Sequence, residues 1–459
     1  MPSPFSILGL RPELLTSLEQ LGYLQMTPIQ AHALPHILTG ADVLGKAKTG
    51  SGKTAAFGLG LLNRLSPALR TQALVLCPTR ELADQVAAEL RRLAQRSANT
   101  RIITVCGGRP FRDQKLALSH GCQVVVGTPG RIADHLRKGT LRLDALEVLV
   151  LDEADRMLDM GFVDEVQGIV ESCPPTRQTL LFSATFPTQI TALSADVQRA
   201  PIAVEVASTV EAEQLRQLVF RCAFDRRPSM VAQLLAEYRP DSALIFCETR
   251  GDCDQLANFL TQHGAPALAL HGRLEQRERD DVLVQFAHGS VRLLVATNVA
   301  ARGLDIPSLP LVLVAELSPE PKSHVHRIGR TGRASEAGLA LSIVARPAEE
   351  TRLAQIEDFL GAPIAPGPDP TSGNDLAFLA PLNQTVMILS GRKDKLRKGD
   401  VLGALVKDGG IPSDAIGRID LTAKTCAIAI ARAHAPTAWK YLQRARIKKK
   451  RVRAILLGA

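Results

Sequence analysis

The chain has 459 residues, 46% of them hydrophobic, enough for about three buried cores at ~150 residues per domain. Its 8 cysteines form neither a CxxC pair nor a disulfide-like framework, so we expect reduced thiols and no structural zinc. Neither a leader-like N-terminus nor a run of ~18 uncharged apolar residues occurs, so we expect a soluble, cytoplasmic protein.

The net charge of +9 is concentrated at one end of the chain. Residues 384–459 hold 17 Lys and Arg against 5 Asp, a local net charge of +12, which leaves −3 for the remainder. A near-neutral body with one basic terminal module is typical of a protein with a polyanionic partner. Nucleic acid is favoured over a membrane surface, because no basic amphipathic stretch with an aromatic face accompanies the charge.

Short apolar runs such as "ALVLCP", "LEVLVLDEAD" and "SALIFCET" alternate with amphipathic helical stretches. Continuous apolar strands between helices are typical of parallel sheets buried on both faces, so the pattern predicts α/β domains with doubly wound sheets. Two such series occur, and the polar stretch "EVASTVEAEQLRQ" separates them. We therefore predict one domain over residues 1–206 and a second over 216–360.

A different composition follows the second series. The stretch "GAPIAPGPDPTSGND" opens a Pro/Gly-rich linker, predicted over residues 361–383 and expected to behave as a loose coil. Residues 384–459 are then predicted to form strand, helix, strand, strand, helix and strand, the order of an RRM-like α+β fold. In the last strand, Ile455 and Leu457 are expected to face the core.

Near the N-terminus, "GYLQMTPIQ" contains the first candidate for nucleotide binding. The Gln30 amide can donate and accept a hydrogen bond at once, which matches the edge of an adenine base. Phe5 is a candidate to lie against the same ring. An ordinary surface amide and a packed aromatic are the alternatives for these two residues.

The segment "AKTGSGKT", residues 47–54, follows an apolar stretch and opens the helical run "AAFGLGLL". A glycine-rich turn in this context directs backbone N–H groups and a helix N-terminus at phosphates. Lys53 is placed to reach the β- and γ-phosphates, and the Thr54 hydroxyl to bind Mg²⁺. A turn that merely needs glycine is the alternative, since Ala47 occupies the first glycine position of the general pattern. The predicted phosphate-binding residues before Lys53 are Thr49, Gly50, Ser51 and Gly52.

The run "LEVLVLDEAD" ends an apolar strand in two consecutive carboxylates. They are predicted to lie at the carboxyl end of the strand, where ligands of open α/β sheets bind. Asp152 is then the metal partner of Thr54, and Glu153 is placed to orient and deprotonate a water that attacks the γ-phosphate. A solvated acidic loop is the alternative interpretation.

In the second α/β domain, "HRIGRTGR" spaces three arginines three residues apart in a glycine-broken segment. They are Arg327, Arg330 and Arg333. If this segment faces the glycine-rich loop, Arg330 and Arg333 can stabilise the charge that develops during γ-phosphate cleavage, as an arginine finger. A solvated basic loop and a patch on nucleic-acid phosphates are the alternatives.

Taken together, these motifs resemble those of the DEAD-box RNA helicases, and they stand in that family's order along residues 1–360: "TPIQ", "AKTGSGKT", "PTRELA", "GG", "TPGR", "DEAD", "SAT", "LIFCET", "ATNVAARGLD" and "HRIGRTGR". The resemblance implies two RecA-like domains in tandem that close on ATP and clamp single-stranded RNA. It supports the nucleotide roles given above and adds Asp305 near the ribose. It also implies that Ser183 and Thr185 link hydrolysis to domain closure.

The same resemblance implies a set of RNA contacts. Each lies in a loop just after an apolar run, where backbone amides and hydroxyls can meet sugar and phosphate. Taken singly, Gly108 is equally well a turn residue, Thr128 a helix cap and Ser183 a strand end. The implied RNA-facing residues are Arg80, Gly108, Thr128 and Arg131 in the first domain and Thr297 in the second.

Three positions depart from the family pattern. Met26 stands where proline is usual, Lys48 where Gln or Glu is frequent, and Asn298 where Asp is common. None of these changes removes a catalytic group. Lys48 adds positive charge near the phosphates and Asn298 removes negative charge from the second domain's cleft, so nucleotide affinity or RNA coupling is open to change in either direction.

The terminal module, with "GRKDKLRKGDVLGAL" and Trp439 on its last helix, resembles the RNA-binding domain of the DbpA subfamily. This resemblance implies recognition of a hairpin in large-subunit ribosomal RNA, and hence a role in ribosome assembly. We expect Trp439 to pack in the core, and the strands that carry stacking aromatics in an ordinary RRM contain none here. RNA is therefore predicted to be read by loop cations, with plain solvation as the alternative. These cations are Arg392, Lys393, Lys395, Arg397, Lys398, Lys448, Lys449, Lys450 and Arg451.

The leading prediction is an ATP-dependent RNA helicase, favoured as a monomer, that locally separates short duplexes and is delivered to ribosomal RNA by its terminal module. A P-loop ATPase acting on DNA and a non-enzymatic RNA-binding assembly factor are the alternatives. The motifs "TPIQ", "DEAD" and "SAT" argue against the first, and the presence of Lys53 and Glu153 argues against the second.

Overall fold

The structure, a computed structural model, describes residues 3–47, 50–183, 185–186, 188–206, 215–298, 309–332, 338–371, 373–448 and 450–458. Some predicted positions lie outside these ranges, namely Lys48, Thr49, Asp305, Arg333 and Lys449, as does most of the predicted first linker. The described residues up to 206 form one compact unit, and those from 215 onward form a second. No helix in the described ranges is long and apolar enough to cross a membrane.

The first unit contains a seven-stranded sheet. Its strands are β1 (Val43–Lys46), β2 (Ala73–Leu76), β3 (Ile102–Val105), β4 (Val124–Gly127), β5 (Val148–Asp152), β6 (Gln178–Ser183) and β7 (Ile202–Glu205). All pair in parallel, in the order β3-β4-β2-β5-β6-β1-β7. The central strands β2, β4, β5 and β6 are buried along their whole length, as expected for a sheet covered on both faces.

Nine helices are described in this unit: α1 (Pro12–Gln20), α2 (Pro28–Leu38), α3 (Lys53–Arg64), α4 (Arg80–Leu93), α5 (Phe111–Ser119), α6 (Pro129–Arg137), α7 (Ala154–Asp159), α8 (Val163–Glu171) and α9 (Thr188–Val197). One hydrophobic core lies between the helices and each face of the sheet. Along β2, Ala73 and Val75 belong to one core and Leu74 and Leu76 to the other. This alternation confirms the prediction of a doubly wound sheet.

The second unit begins with a similar sheet. Its strands are β8 (Leu215–Arg221), β9 (Ala243–Cys247), β10 (Ala267–Leu270), β11 (Leu293–Thr297), β12 (Leu311–Val314), β13 (Gly338–Val344) and β14 (Ala365–Pro366). They pair in parallel in the order β10-β11-β9-β12-β13-β8-β14. The described helices around it are α10 (Arg227–Tyr238), α11 (Arg250–Gln262), α12 (Gln276–Ala287), α13 (Pro321–Ile328) and α14 (Pro347–Leu360).

The Pro/Gly-rich stretch after this sheet is packed against it, contrary to the expectation of a loose coil. Its first residues form β14, which pairs with β8. Leu376 and Leu379 are fully buried in the core of the second sheet, and Arg292 Nη1 donates to the Phe378 carbonyl at 2.7 Å. A few apolar side chains among the prolines and glycines are therefore enough to fix the segment.

The terminal module is a four-stranded antiparallel sheet with two helices. The strands are β15 (Asn383–Ile388), β16 (Ile416–Leu421), β17 (Cys426–Ala431) and β20 (Ala454–Leu457), with a small hairpin of β18 (Arg446–Ile447) and β19 (Lys450–Arg451) before the last. The helices are α15 (Lys398–Gly403) and α16 (Ala435–Arg444). The strand order β16-β17-β15-β20 confirms the RRM-like fold.

The last strand contradicts the predicted orientation of Ile455 and Leu457 and supports the predicted packing of Trp439. Ala454 and Leu456 face the module's core beside Val386, so the expected core positions Ile455 and Leu457 lie on the opposite face. The alternation of side chains along β20 is offset by one residue from the prediction, which moves each side chain to the opposite face of the sheet. Trp439 packs against the core as predicted, and its indole N–H donates to the Ala454 carbonyl at 3.2 Å.

The face of this antiparallel sheet that points away from its helices contacts the second parallel domain. Thr385 on β15 is fully buried, and its hydroxyl lies 2.8 Å from the Ser290 hydroxyl. His288 Nε2 lies 3.2 Å from Asp420 Oδ2 on β16, and the Asn383 amide donates to the His288 carbonyl at 2.9 Å. The segment that follows α12 is therefore joined to the module by polar contacts.

We expect Thr385→Lys to separate these two surfaces while leaving the module folded, because Thr385 points away from the module's own core. Burying an ammonium against Ser290 without a partner is strongly unfavourable. Amide hydrogen exchange should rise at residues 285–290 and 383–388. Ser413→Lys, which adds the same charge at an exposed site of the module, should leave exchange unchanged. Equal protection in both variants would contradict the buried contact.

Candidate nucleotide and RNA sites

The strand order of the first sheet divides its carboxyl edge into two halves. Strands β5, β6 and β1 are neighbours, with Asp152 opposite Phe182 and Lys46 opposite Ser183 in the registers. The glycine-rich loop after β1, the acidic end of β5 and the end of β6 therefore adjoin, as expected at the edge of a parallel sheet. The loops after β2, β4 and β3 make up the other half.

In the first half, two buried charged atoms have no hydrogen-bond partner among the described residues. Lys53, the first residue of α3, is 6% exposed, and its Nζ is one of them. Asp152, at the end of β5, is 2% exposed, and its Oδ1 is the other. Buried polar groups normally have partners, so this pair fits a site that receives an anion and a cation.

Burial raises the pKa of Asp152 to about 6, although the nearby Lys53 opposes the shift. A bound cation would favour its charged form. The described residues contain no group of three or more His, Cys, Asp or Glu side chains suited to a metal. Mg²⁺ typically needs only one or two carboxylates, with phosphates and waters completing its shell. Asp152 and the half-buried Thr54 hydroxyl therefore suit a magnesium ion delivered with a nucleotide.

Glu153 has an unusual backbone conformation. Its φ of 53° and ψ of 49° lie in the left-handed region, which costs a non-glycine residue about 1–2 kcal/mol. Its carboxylate pairs with Arg156 at 2.7 Å, and both side chains are buried. Strain of this kind clusters at functional sites. Sequence analysis missed Arg156, although the spacing of three residues at the start of a helix is a signal for such a pair.

Asp155, also missed, connects the acidic segment to the end of β6. The Thr185 hydroxyl donates to Asp155 Oδ2 at 2.9 Å, and the Thr185 amide donates to the same oxygen at 3.2 Å. The Ser183 hydroxyl donates to the Thr185 carbonyl at 2.6 Å. The two predicted coupling residues thus form one hydrogen-bonded unit with the helix that follows Glu153.

The two adenine candidates make contacts within the protein. The side-chain oxygen Oε1 of Gln30 accepts from the Thr27 backbone N–H at 2.9 Å, and its Nε2 donates to the Gly52 carbonyl at 3.1 Å. The Gln30 side chain therefore joins the start of α2 to the glycine-rich loop. Gly52 has a φ of 93°, and a Cβ there would lie 2.5 Å from Gln30 Nε2. Phe5 is buried, edge-on to Tyr23. Their contacts with adenine stay predictions.

In the other half of the edge, the structure brings three of the implied RNA residues together. The Arg80 guanidinium lies against Gly108, where a Cβ would be 2.0 Å from Arg80 Nη1. Arg131 Nη1 donates to the Arg109 carbonyl at 2.9 Å, which ties "TPGR" to the "GG" loop. Thr128 precedes α6, but its side chain makes no capping hydrogen bond. These loops form one polar surface.

In the second unit, Thr297 ends β11 and is buried. Arg330 is also buried, and its backbone amide donates to the Arg327 carbonyl at 3.2 Å. Of the finger pair, Arg333 lies outside the described residues, as does the ribose candidate Asp305.

In the module, the two basic segments contact each other. Lys448 Nζ donates to the Lys395 carbonyl at 3.0 Å and pairs with the Asp400 carboxylate at 2.8 Å. The hydrogen bond from Lys448 lowers the pKa of Asp400. Both lysines have positive φ, 62° at Lys395 and 51° at Lys448. Asp400, which sequence analysis did not assign to the site, holds the segments together. Arg392, Lys393, Arg397, Lys398 and Arg451 are exposed, and of Lys450 only the backbone is described.

The side chains that would carry stacked bases in an ordinary RRM lie on the face that contacts the second domain. Ala427 and Ala429 of β17 and Met387 of β15 are all buried there. A sheet face without aromatics and without solvent access is unsuited to base stacking. The exposed loop cations are the remaining candidates for RNA recognition.

Comparison with known proteins agrees with this arrangement. Residues 27–193 match the DEAD/DEAH box helicase family, 226–335 the helicase conserved C-terminal domain, and 385–455 the DbpA RNA binding domain. The chain is 51% identical over 455 residues to the ATP-dependent RNA helicase DbpA of Escherichia coli, covering 99% of both chains. It is 37% identical over 464 residues to that of Bacillus subtilis, covering 96% of both.

A solved structure of S. cerevisiae Dbp5 bound to RNA and ADP BeF3 superimposes with a TM-score of 0.72 at 30% identity, covering 78% of this chain and 94% of that one. The full-length identity to DbpA, the two helicase domains and the DbpA RNA binding domain coincide in one chain. This protein belongs to the DEAD-box ATP-dependent RNA helicases, within the DbpA subfamily.

Proposed function

We propose that the first unit hydrolyses ATP at the half-edge formed by β5, β6 and β1. The observation that carries the proposal is the buried, unpartnered pair of Lys53 Nζ and Asp152 Oδ1. Lys53 would bind the β- and γ-phosphates, and Thr54 and Asp152 would hold Mg²⁺, which offsets phosphate charge when bound. Glu153 orients and deprotonates the attacking water.

Residues beyond this edge complete the proposed ATP site. Gln30 and Phe5 would contact the adenine, and Asp305 would contribute to binding of the ribose. Arg330 and Arg333 stabilise the charge on the γ-phosphate when the two helicase domains close. The bond from Thr185 to Asp155 supports the proposed coupling role of Ser183 and Thr185, because a change at the γ-phosphate would reach β6 through it.

We propose that the polar surface after β2, β3 and β4 binds the backbone of single-stranded RNA, with Thr297 contributing from the second domain. Arg80, Gly108, Thr128 and Arg131 present guanidinium, amide and hydroxyl groups, which suit sugar and phosphate rather than base edges. Bound in this way, RNA would be gripped without regard to sequence. ATP-driven closure on one strand would locally separate a short duplex.

Selectivity is proposed to come from the terminal module, which would direct the helicase to a hairpin of large-subunit ribosomal RNA during ribosome assembly. The support is the match to the DbpA RNA binding domain together with the exposed loop cations, whose two segments are joined by the ion pair of Lys448 with Asp400. Phosphate attraction supplies affinity, and the fixed loops orient the cations. A cytoplasmic monomer is the setting we propose for this activity.

Lys53→Ala and Glu153→Gln should each lower RNA-stimulated ATP turnover by at least ~100-fold, since each removes a group that acts on the transferred phosphoryl. Phosphate release measured with excess RNA tests this. Lys46→Ala, which removes a half-buried lysine paired with Glu205 in the same sheet, should keep near-normal turnover. Both active-site variants should still bind the ribosomal hairpin through the module. Turnover that survives either substitution would refute the site assignment.

Gly108→Ala should weaken binding of single-stranded RNA, because its Cβ would displace the Arg80 guanidinium. Fluorescence anisotropy with a labelled oligonucleotide measures the affinity. Gly22→Ala is the matched control, since Gly22 has a similar φ of 77° but no atom within 4 Å of the built Cβ. Both variants carry about 1–2 kcal/mol of backbone strain, so melting temperatures should fall alike while only Gly108→Ala loses RNA affinity. Equal RNA affinities would contradict the proposed surface.

Removing residues 382–459 should abolish the preference for ribosomal RNA and leave ATPase stimulation by excess generic RNA. This boundary keeps Leu376 and Leu379, which belong to the core of the second domain. A truncation that begins at residue 376 should instead lower thermal stability, because it removes both leucines. Competition between the hairpin and an unrelated RNA of equal length measures selectivity. Undiminished selectivity after removal of 382–459 would count against the targeting role.

Lys448 and Lys393 should respond differently to salt. Lys393→Met removes an exposed cation and should reduce the slope of log affinity against log salt by about 1. Lys448→Met should lower affinity without changing that slope, because its ammonium is engaged by Asp400 and the Lys395 carbonyl. Hairpin binding at several salt concentrations distinguishes the two. A slope reduced equally by both would show that Lys448 contacts phosphate instead.

A further inference from the structure

We propose that Glu248, in "LIFCET", is a positioning residue for ATP hydrolysis that acts on Arg330 through Arg327. The inference rests on the proposed role of Arg330 as an arginine finger. It concerns the way in which the second domain holds that finger in place. The contacts that connect the Glu248 carboxylate to Arg330 all lie within the described residues of the second unit.

The first step is the confinement of Arg327. This residue lies in the last turn of α13, and its side chain is 1% exposed. Its Nη1 donates to the Glu316 carbonyl at 2.7 Å, and its Nη2 forms an ion pair with the Glu248 carboxylate. Its Nε has no partner among the described residues, but the side chain is buried and both terminal nitrogens are engaged by protein acceptors, so they are not available to a phosphate. Arg327 therefore differs in function from Arg330, although "HRIGRTGR" spaces them alike.

The second step is the connection from Arg327 to Arg330. The Arg330 amide donates to the Arg327 carbonyl at 3.2 Å, and the Arg330 carbonyl accepts from the Leu309 amide at 3.1 Å. The Thr331 hydroxyl donates to the Leu309 carbonyl as well. The backbone of Arg330 is thus fixed on both sides, and one of these two supports is Arg327. Displacement of Arg327 would therefore displace the finger.

The third step is the anchoring of Glu248 itself. Glu248 follows β9 directly, and its amide donates to Glu316 Oε2 at 2.8 Å. The other oxygen of Glu316, which lies two residues beyond β12, pairs with Arg227 at 2.6 Å. Arg227 also pairs with Glu349 at 2.6 Å, and these three side chains are all buried. Strands β9 and β12 are neighbours, so this network ties their carboxyl ends to one another.

The acidic and basic residues of this network differ in how well the fold tolerates their removal. Removing a member of the Arg227, Glu316 and Glu349 group would leave a buried charge unpaired, which threatens the fold. The Glu248 side chain is 28% exposed, so water can take the place of its carboxylate beside Arg327, which keeps its hydrogen bond to the Glu316 carbonyl. Its carboxylate nevertheless forms the one ion pair that Arg327 makes among the described residues. A substitution of Glu248 is therefore expected to displace Arg330 without unfolding the domain.

The test is a double-mutant cycle on RNA-stimulated ATP hydrolysis with the full chain. Glu248→Ala should lower kcat by ~10-fold with unchanged KM for ATP. Arg330 is expected to contact the γ-phosphate in the transition state, and weakening such a contact lowers kcat without changing KM. Glu248→Gln, which keeps an acceptor oxygen, should recover part of the loss. In the Arg330→Ala background, Glu248→Ala should cause no further loss. Glu350→Ala, which breaks the exposed Arg221–Glu350 pair of the same domain, should leave kcat unchanged.

Each deviation from this pattern has a distinct meaning. Full additivity of Glu248→Ala and Arg330→Ala would overturn the inference, since Glu248 would then act elsewhere. An unchanged kcat in Glu248→Ala with a reduced kcat in Arg330→Ala would also overturn it while leaving the proposed finger intact. Full activity in Arg330→Ala would refute the finger itself, and with it this inference. A lowered melting temperature in Glu248→Ala with a proportional loss of RNA binding would reveal a general structural role instead.

Discussion

Parallel strands buried on both faces impose the constraint on which the rest of this protein depends. The interior of such a sheet accepts few polar side chains, so the groups available to a ligand are concentrated at the carboxyl edge where the strands end. In the first sheet, the order of the strands then decides which polar groups meet. Strands β5, β6 and β1 bring Asp152, Ser183 and the glycine-rich loop together, while β2, β4 and β3 bring Arg80 and Gly108 together. One edge therefore holds both the half proposed to bind the nucleotide and the half proposed to bind RNA.

The second parallel sheet meets the same constraint with a different solution. There, the ends of β9 and β12 carry buried ion pairs of Arg227 with Glu316 and Glu349, although Arg227 Nε has no partner among the described residues. A site that must receive a ligand leaves a charge without an ion-pair partner until the ligand arrives, whereas a site that must hold the fold together pairs its charges with one another. The contrast between Lys53 and Arg227, both buried cations, follows from these different demands.

The sequence was sufficient to predict what depends on local pattern and strand ends. Apolar runs gave the parallel sheets, and the residues next to them gave Lys53 and Asp152. It was insufficient for pairs formed across the chain, such as Thr185 with Asp155 or Lys448 with Asp400, because no local pattern records which loops a sheet brings together. It was also insufficient for the packing of residues 361–383, since composition conceals the two leucines that fix the segment. A one-residue difference in register was enough to reverse Ile455 and Leu457.

The terminal module shows how an RRM-like fold can serve two surfaces at once. Its sheet carries Thr385, Ala427 and Ala429 where aromatics would stand, and small side chains allow a close approach of protein rather than of bases. Because that face is occupied by the segment after α12, the loop cations are fixed relative to the second helicase domain as well as to the module. An RNA bound by those cations would consequently be oriented with respect to that domain. A disordered basic tail of the same charge would supply attraction without orientation.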